Sequence, residues 1–421
     1  MKTLCAIFFS LCCIGMAHAD VYSVLASVYN NNPVLGQKRA DVAAAMAEVD
    51  VAKTVLKPYL GLSGNVGVAK TELADRSFEY VPMQYGLEVQ QNVFQGGAMF
   101  AKIKAAQGLL AAQQANMYAT QQEVFLDAIN AYINVLNADA VLKLNQNNER
   151  VLAEYYQFVK DGQDVGRMTK TDVAQASARL EMARYQVSDA SAQYDNAKES
   201  VKNISGDDRW MYVDIDTNKT DGMFPESVFD AQELALAQHP VLVALAEQEA
   251  AVKQNIKIAY QTMLPSVDIR GTVQRLDNVP FVDDITDSRV GVYLRVPLFD
   301  KGNAMANADK VRANVASVQE QILTARRGIV ENLRSAWNIY VAQETAINAT
   351  RASVDANKMA LDGIRDEQMQ GRRTVLDVLN AEQELLNSQV AHTRAKHARI
   401  SAYFAVLAAM GKLTPENLGL N

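Results

Sequence analysis

Over two stretches of the chain, apolar and polar positions alternate one by one. Leu60, Leu62, Val66 and Val68 share one parity, with Ser63, Asn65 and Gly67 on the other. Tyr85, Leu87, Val89 and Val93 alternate with Gln84, Glu88, Gln90 and Asn92. Further on, Val267, Ile269 and Val273 alternate with Asp268, Arg270 and Thr272. Val290, Val292, Leu294 and Val296 then alternate with Arg289, Gly291, Tyr293 and Arg295. A period of two predicts strands with one apolar and one polar face. Two strand hairpins are therefore expected, over 59–94 and 266–299, joined by polar connections at 71–83 and 275–288. Each run is about ten residues, the length a tilted membrane strand needs. Glu88, Asp268, Arg270 and Arg295 on the polar face suit contact with water. Four strands cannot close a barrel, for which about eight are needed, so several chains would have to pool theirs.

The rest of the chain reads as helix. Pro33 opens and Pro58 closes an Ala-rich helix, and Pro240 and Pro265 bound its counterpart 207 residues later. Residues 97–160 and 303–366 predict two helices of about 64 residues, near 96 Å each. Ile103, Leu110, Met117 and Val124 recur every seven residues, as do Leu379 and Leu386, then Ile400 and Leu407. That spacing marks coiled-coil packing. Return helices follow at 169–204 and 374–410. Each is too short to match its outgoing partner, and a short early helix stacked on its end would make up the length. Between outgoing and return helices stand Gly166-Arg167-Met168-Thr169-Lys170-Thr171-Asp172 and Gly371-Arg372-Arg373-Thr374-Val375-Leu376-Asp377, with Gly, Thr and Asp equally spaced. Both read as hairpin tips, a glycine at positive φ followed by a Thr-x-x-Asp capping box. From Phe94 to Gly166 and from Phe299 to Gly371 the spacing is the same. The chain is thus a duplication. Its divisions are a leader over 1–19, a first repeat over 20–225 and a second over 226–421. In the first repeat the helical hairpin spans 97–204 and a belt segment 205–225; in the second they span 303–410 and 411–421. Residues 20–32 and 226–238 predict short matching helices in the same belt.

Composition narrows the class. Lys2, the apolar run Leu4 to Met16 and Ala17-His18-Ala19 before Asp20 make a cleavable export signal. All three cysteines (Cys5, Cys12, Cys13) lie inside it, so the rest offers no disulfide, thiolate metal site or cysteine nucleophile. The 41 basic and 48 acidic side chains give −7, spread along the chain, with no footprint for nucleic acid. After residue 19 no run of 18 apolar residues occurs. Entry into a membrane would have to be by barrel strands.

The paired Pro-bounded helices, the Phe94-Gln95-Gly96-Gly97 and Phe299-Asp300-Lys301-Gly302 strand exits and the two tips, in order and twice, resemble the TolC family of outer-membrane export channels. The resemblance covers nearly all of Asp20 to Asn421. It implies an α+β fold: a homotrimer with four strands per chain in a 12-stranded outer-membrane β-barrel. An α-helical coiled-coil barrel of 12 helices would continue it across the periplasm. It implies a periplasmic adaptor and an inner-membrane ABC or proton-driven transporter as partners, outer-membrane lipid around the barrel, and export of proteins or small toxic compounds without chemistry or cofactor. Carried over by position, Arg373 matches a gate arginine at the periplasmic end, and Thr171 with Asp172 its partners. Asp377 matches one aspartate of an acidic ring, while Asn380 stands where a second would be, leaving three carboxylates in place of six. Gln368 replaces a tyrosine that adds a further link. Gly166 and Gly371 would mark the adaptor-docking tips. Capping alone accounts for Thr and Asp at both tips, but not for Arg373.

Other signals are weaker. Asp214-x-Asp216-x-Asn218 opens like a calcium loop, but Lys219 and Pro225 stand where glycine and glutamate are required. His392 and His397 are five apart and do not share a helix face as a zinc pair would. Trp210 and Trp337 read as packing residues. No catalytic or phosphate-binding fingerprint occurs. The alternative from another class is a soluble periplasmic coiled-coil adaptor or scaffold.

Overall fold

The structure, a computed structural model, describes residues 20–73, 76–207, 210, 212–215, 221–280 and 284–420. The expected leader with its cysteines and most of the calcium-like loop, Asp216 to Thr220, lie outside the described residues. The chain forms two compact units, each drawing on both sequence repeats: Met1–Gly36, Thr120–Ala237 and Val330–Asn421 in one, Gln37–Ala119 and Gln238–Ile329 in the other.

The element order follows the alternation and periodicity of the sequence. Helices α1 (Val21–Asn31) and α2 (Pro33–Lys53) precede strands β1 (Tyr59–Val66), β2 (Ala69–Leu73), β3 (Arg76–Tyr80) and β4 (Met83–Gln95). Helix α3 (Ala98–Asp164) and helix α4 (Lys170–Ser205) make the first long hairpin. The second half repeats this with α5 (Val228–Gln238), α6 (Pro240–Ala259), β5 (Ser266–Asp277), β6 (Ile285–Arg295), α7 (Asn303–Met369) and α8 (Val375–Ala409). The two long helices have 67 residues each, three more than the sequence implied. Among the described residues no helix is long and apolar enough to cross a membrane.

In the second unit β1, β4, β5 and β6 form one antiparallel sheet in that order. Two expectations are corrected. The connection at 71–83 is not plain loop: β2 and β3 pair within it, Ala69 opposite Tyr80 and Thr71 opposite Phe78, so β1 stops at Val66 and Val68 lies outside it. Nor does Val93 continue the apolar face. The pairing with β5 shifts between Asn92 and Phe94, a bulge, and Phe94 takes the place opposite Val267. A bulge inserts one unpaired residue and reverses the parity beyond it.

The first unit is held by a core of α1, the middle of α3 and the end of α8. Leu25, Phe125, Ile129, Tyr132, Phe404 and Leu407 are buried there. The Tyr132 hydroxyl donates to Val213 O at 2.8 Å and accepts from Val213 N at 2.9 Å, pinning the segment after α4. Burial pushes its phenol up to about 12. Phe224 stacks between Trp337, at 5.6 Å, and Tyr403, at 4.8 Å, and Trp210 Nε1 donates to Ser205 Oγ and Asp207 O. Both tryptophans are thus packing residues. Asn32 joins two helix ends: its Oδ1 accepts from Val34 N at 2.9 Å, capping α2, while its Nδ2 donates to Ile204 O near the end of α4 at 3.0 Å. The predicted meeting of a short helix with a return helix is seen at this joint. Unpaired backbone groups at helix ends need such partners.

Candidate functional site

Two features carry functional information, and each lies within one unit. The first is the sheet. Residues directly opposite across strands share a face. Leu62, Leu87 and Val273 form one row; Val89 lies opposite Leu60 and Gly271, and Ile269 opposite Val292. This face is apolar and bare: Leu62 is 80% exposed, Val292 71% and Val290 86%. The other face carries Glu88 opposite Thr272 and Gly61, Gln90 opposite Arg270, and Asn92 opposite Asp268. Where β4 ends and β5 begins, a cavity of about 460 Å³ is lined by Gln90, Asn92, Asp268, Arg270 and Arg295. Arg270 lies 3.5 Å from Asp268 and over the Tyr293 ring at 5.2 Å. A sheet whose bare face is apolar and whose sheltered face is charged is inverted relative to a soluble sandwich. It fits a wall with lipid on one side and water on the other.

The second feature is the pair of tips. At each, a Schellman motif ends the outgoing helix. Gly166 N donates to Gln163 O at 2.9 Å and Arg167 N to Gly162 O at 2.8 Å; Gly371 N donates to Gln368 O and Arg372 N to Glu367 O, both at 2.9 Å. Gly166 and Gly371 have φ of +74° and +77°, which a side chain would strain. Both capping boxes are formed. Thr169 N donates to Asp172 Oδ2 at 2.8 Å and Asp172 N to Thr169 Oγ1 at 3.2 Å, with Thr374 and Asp377 the same at 2.9 and 3.2 Å. The hydrogen bonds from Thr374, backbone then hydroxyl, hold the Asp377 carboxyl below its ordinary value, and Arg373 adds to this.

The remaining tip residues are only partly brought together. Arg373 Nε donates to Glu367 Oε2 at 2.7 Å, and this pairing raises its guanidinium pKa. Asp172 is engaged with Thr169 at its own cap. Within one chain Arg373 therefore pairs across its own turn. Thr171 is exposed, and Gln368 is buried at the end of α7. Asn380 Oδ1 accepts from Arg179 Nη2 at 2.9 Å, tying α8 to α4. Glu367 and Arg179 were not singled out from the sequence. Glu367 could have been found six residues before Arg373 across a turn; Arg179 carries no such local signal. His392 Nδ1 meets Thr350 Oγ1 at 3.1 Å, and no metal-holding cluster occurs among the described residues.

A sheet bare on its apolar side, in a chain with duplicated helical hairpins, fits a membrane-channel protein. A model of the outer membrane efflux protein family matches residues 24–207 and 232–412, and the chain belongs to that family. It is 28% identical over 399 residues to the outer membrane efflux protein BepC of Brucella suis, covering 94% of this chain and 86% of that protein. It is 24% identical over 440 residues to the outer membrane protein TolC of Escherichia coli, covering 99% and 88%. Among solved structures it resembles the CmeC outer membrane channel of Campylobacter jejuni with a TM-score of 0.81 and 18% identity, over 93% of this chain and 85% of that one. The protein is an outer-membrane channel protein of the TolC type, and the soluble scaffold expectation is set aside.

Proposed function

We propose that three copies of the chain assemble into one export conduit, with 12 strands in the outer membrane and 12 helical columns on the periplasmic side. The carrying observation is the sheet order: β1 and β6 are its two edges, and every neighbouring pair is antiparallel. Because the strand number is even, β6 of one copy meets β1 of the next with the alternation intact. Closure is also what removes two exposed edges. The detergent-extracted protein is expected to have the mass of three chains and to conduct ions in a planar bilayer. A freely soluble monomer would remove the reading.

Substrates, either secreted proteins or small toxic compounds, would pass without chemistry, handed over by an adaptor and an inner-membrane ABC or proton-driven transporter. The exposed tips around Gly166 and Gly371 suit adaptor docking. Arg373 would act as a latch between chains toward Thr171 and Asp172, since its pairing with Glu367 is solvent-exposed and therefore weak. Asp377 would supply one carboxylate per chain to a ring, with Asn380 and Gln368 contributing no charge. Arg373→Glu is expected to raise the resting single-channel conductance. Conductance equal to the parent's would sink the latch.

A further inference from the structure

The distal part of α7 is held unlike its neighbours. Beyond Leu333, its buried side chains are Leu361 and Gln368. Over the matching span α3 buries Val141, Leu152 and Val159, and α8 buries Val375, Leu379 and Leu386. What joins α7 to α8 is a series of polar contacts, roughly two turns apart along α7. Arg399 Nε donates to Glu344 Oε2 at 2.6 Å, His392 Nδ1 meets Thr350 Oγ1 at 3.1 Å, and Asn357 Nδ2 donates to Glu384 O at 3.3 Å. The last rung before the tip is Arg365 Nη2 to Glu382 Oε1.

That rung differs from the other ion pair in burial. The Glu382 side chain is 10% exposed, against 56% for Glu344. Beside it lies a cavity of about 250 Å³, lined also by Asn147, Asn148 and Leu361. The Tyr155 hydroxyl on α3 is buried without a hydrogen-bond partner and feels the charges of both Arg365 and Glu382. Burial raises the Glu382 carboxyl above its ordinary value, and Arg365 only partly opposes this. Because desolvation offsets much of the attraction in a buried ion pair, the pair's presence is weak evidence of a stability role.

We propose that Arg365 and Glu382 form a clasp that holds the distal end of α7 against α8 and so positions Glu367, Gln368 and Arg373 at the tip. The Arg365 side chain is 41% exposed, so losing the carboxylate strands no buried charge. The clasp's effect on conduction rests on the channel reading above; its effect on helix spacing does not.

Nitroxides at Met359 on α7 and Asn387 on α8, both exposed, report the spacing. Residues 20–421 contain no cysteine, so labels attach only where placed. With labelled chains diluted among unlabelled ones, the parent should give one narrow distance. Glu382→Gln should lengthen and broaden it with the denaturant midpoint unchanged. Arg365→Met should lengthen and broaden it too, with a lower midpoint, because it leaves the buried Glu382 carboxylate without its partner. The charge-swapped pair, Arg365→Glu with Glu382→Arg, should narrow it again. Parent-like distances in both single variants would overturn the clasp, as would a swap that stays broad. A broadened distance with unaltered conductance would uphold the clasp and count against the tip as the gate.

Discussion

Val292→Arg is expected to stop most of the protein from reaching a membrane-inserted, heat-resistant assembly, whereas Thr272→Arg leaves assembly at the parent level. Both changes put the same cation in the middle of the same sheet. Val292 pairs with Ile269 on the bare apolar face; Thr272 pairs with Glu88 and Arg289 on the polar one. Arginine on the lipid face of a barrel costs about 2–4 kcal/mol near the bilayer midplane. Every copy in an assembly would carry that cost. On the polar face the new guanidinium meets water and stands between the Glu88 carboxylate and Arg289, whose exposed side chain is already paired with Asp287, so attraction on one side offsets a screened repulsion on the other. The measurement is the fraction that resists extraction from outer-membrane preparations, and the proportion migrating as an oligomer without heating. Equal behaviour of the two variants would mean that the two faces do not meet lipid and water.

Phe404→Ala should cost about 3–5 kcal/mol, the range for a fully buried aromatic truncated to alanine. Phe404 has no exposed surface and packs edge-on against Tyr403, with ring centroids 5.4 Å apart at 86°. It lies in the core cluster that holds Leu25, Phe125, Tyr132 and Leu407, where helices from both ends of the chain meet. The other cluster of buried hydrophobic residues, Leu152, Val159, Ala176, Leu180, Ala183, Val375 and Leu379, is separate and smaller, so it cannot absorb the loss. Denaturant unfolding in detergent should show a lower midpoint with an unchanged slope. A change below about 1 kcal/mol would show that the site collapses around the missing ring and that stability is centred elsewhere.

Much of this architecture was legible before any coordinates. The strands follow from side chains two apart, the helices from their proline boundaries, and the tips from Gly and Thr-x-x-Asp at fixed offsets. Those relations are local, and the structure forms both capping boxes and both left-handed glycines where they were expected. The heptad pattern was less complete. Val124, Leu379, Leu386 and Leu407 are buried, but Ile103, Leu110, Met117 and Ile400 are only partly so, and Ala105, Ala112 and Ala115 are buried near the first three of these. Small side chains set the spacing there, and alanine carries little periodic signal.

By itself, then, the chain determined its duplication, its two kinds of element, the two faces of its strands and the chemistry of its turns, because each depends on neighbours within a few residues. Only the tertiary structure decided that β4 pairs with β5 across the two repeats, that a bulge hands the apolar face from Val93 to Phe94, and that β2 pairs with β3. It also decided that Arg373 answers Glu367, Arg179 answers Asn380 and Arg365 answers Glu382. Which charge meets which depends on how helices pack side by side, and several partners can satisfy one side chain equally well until that packing is fixed.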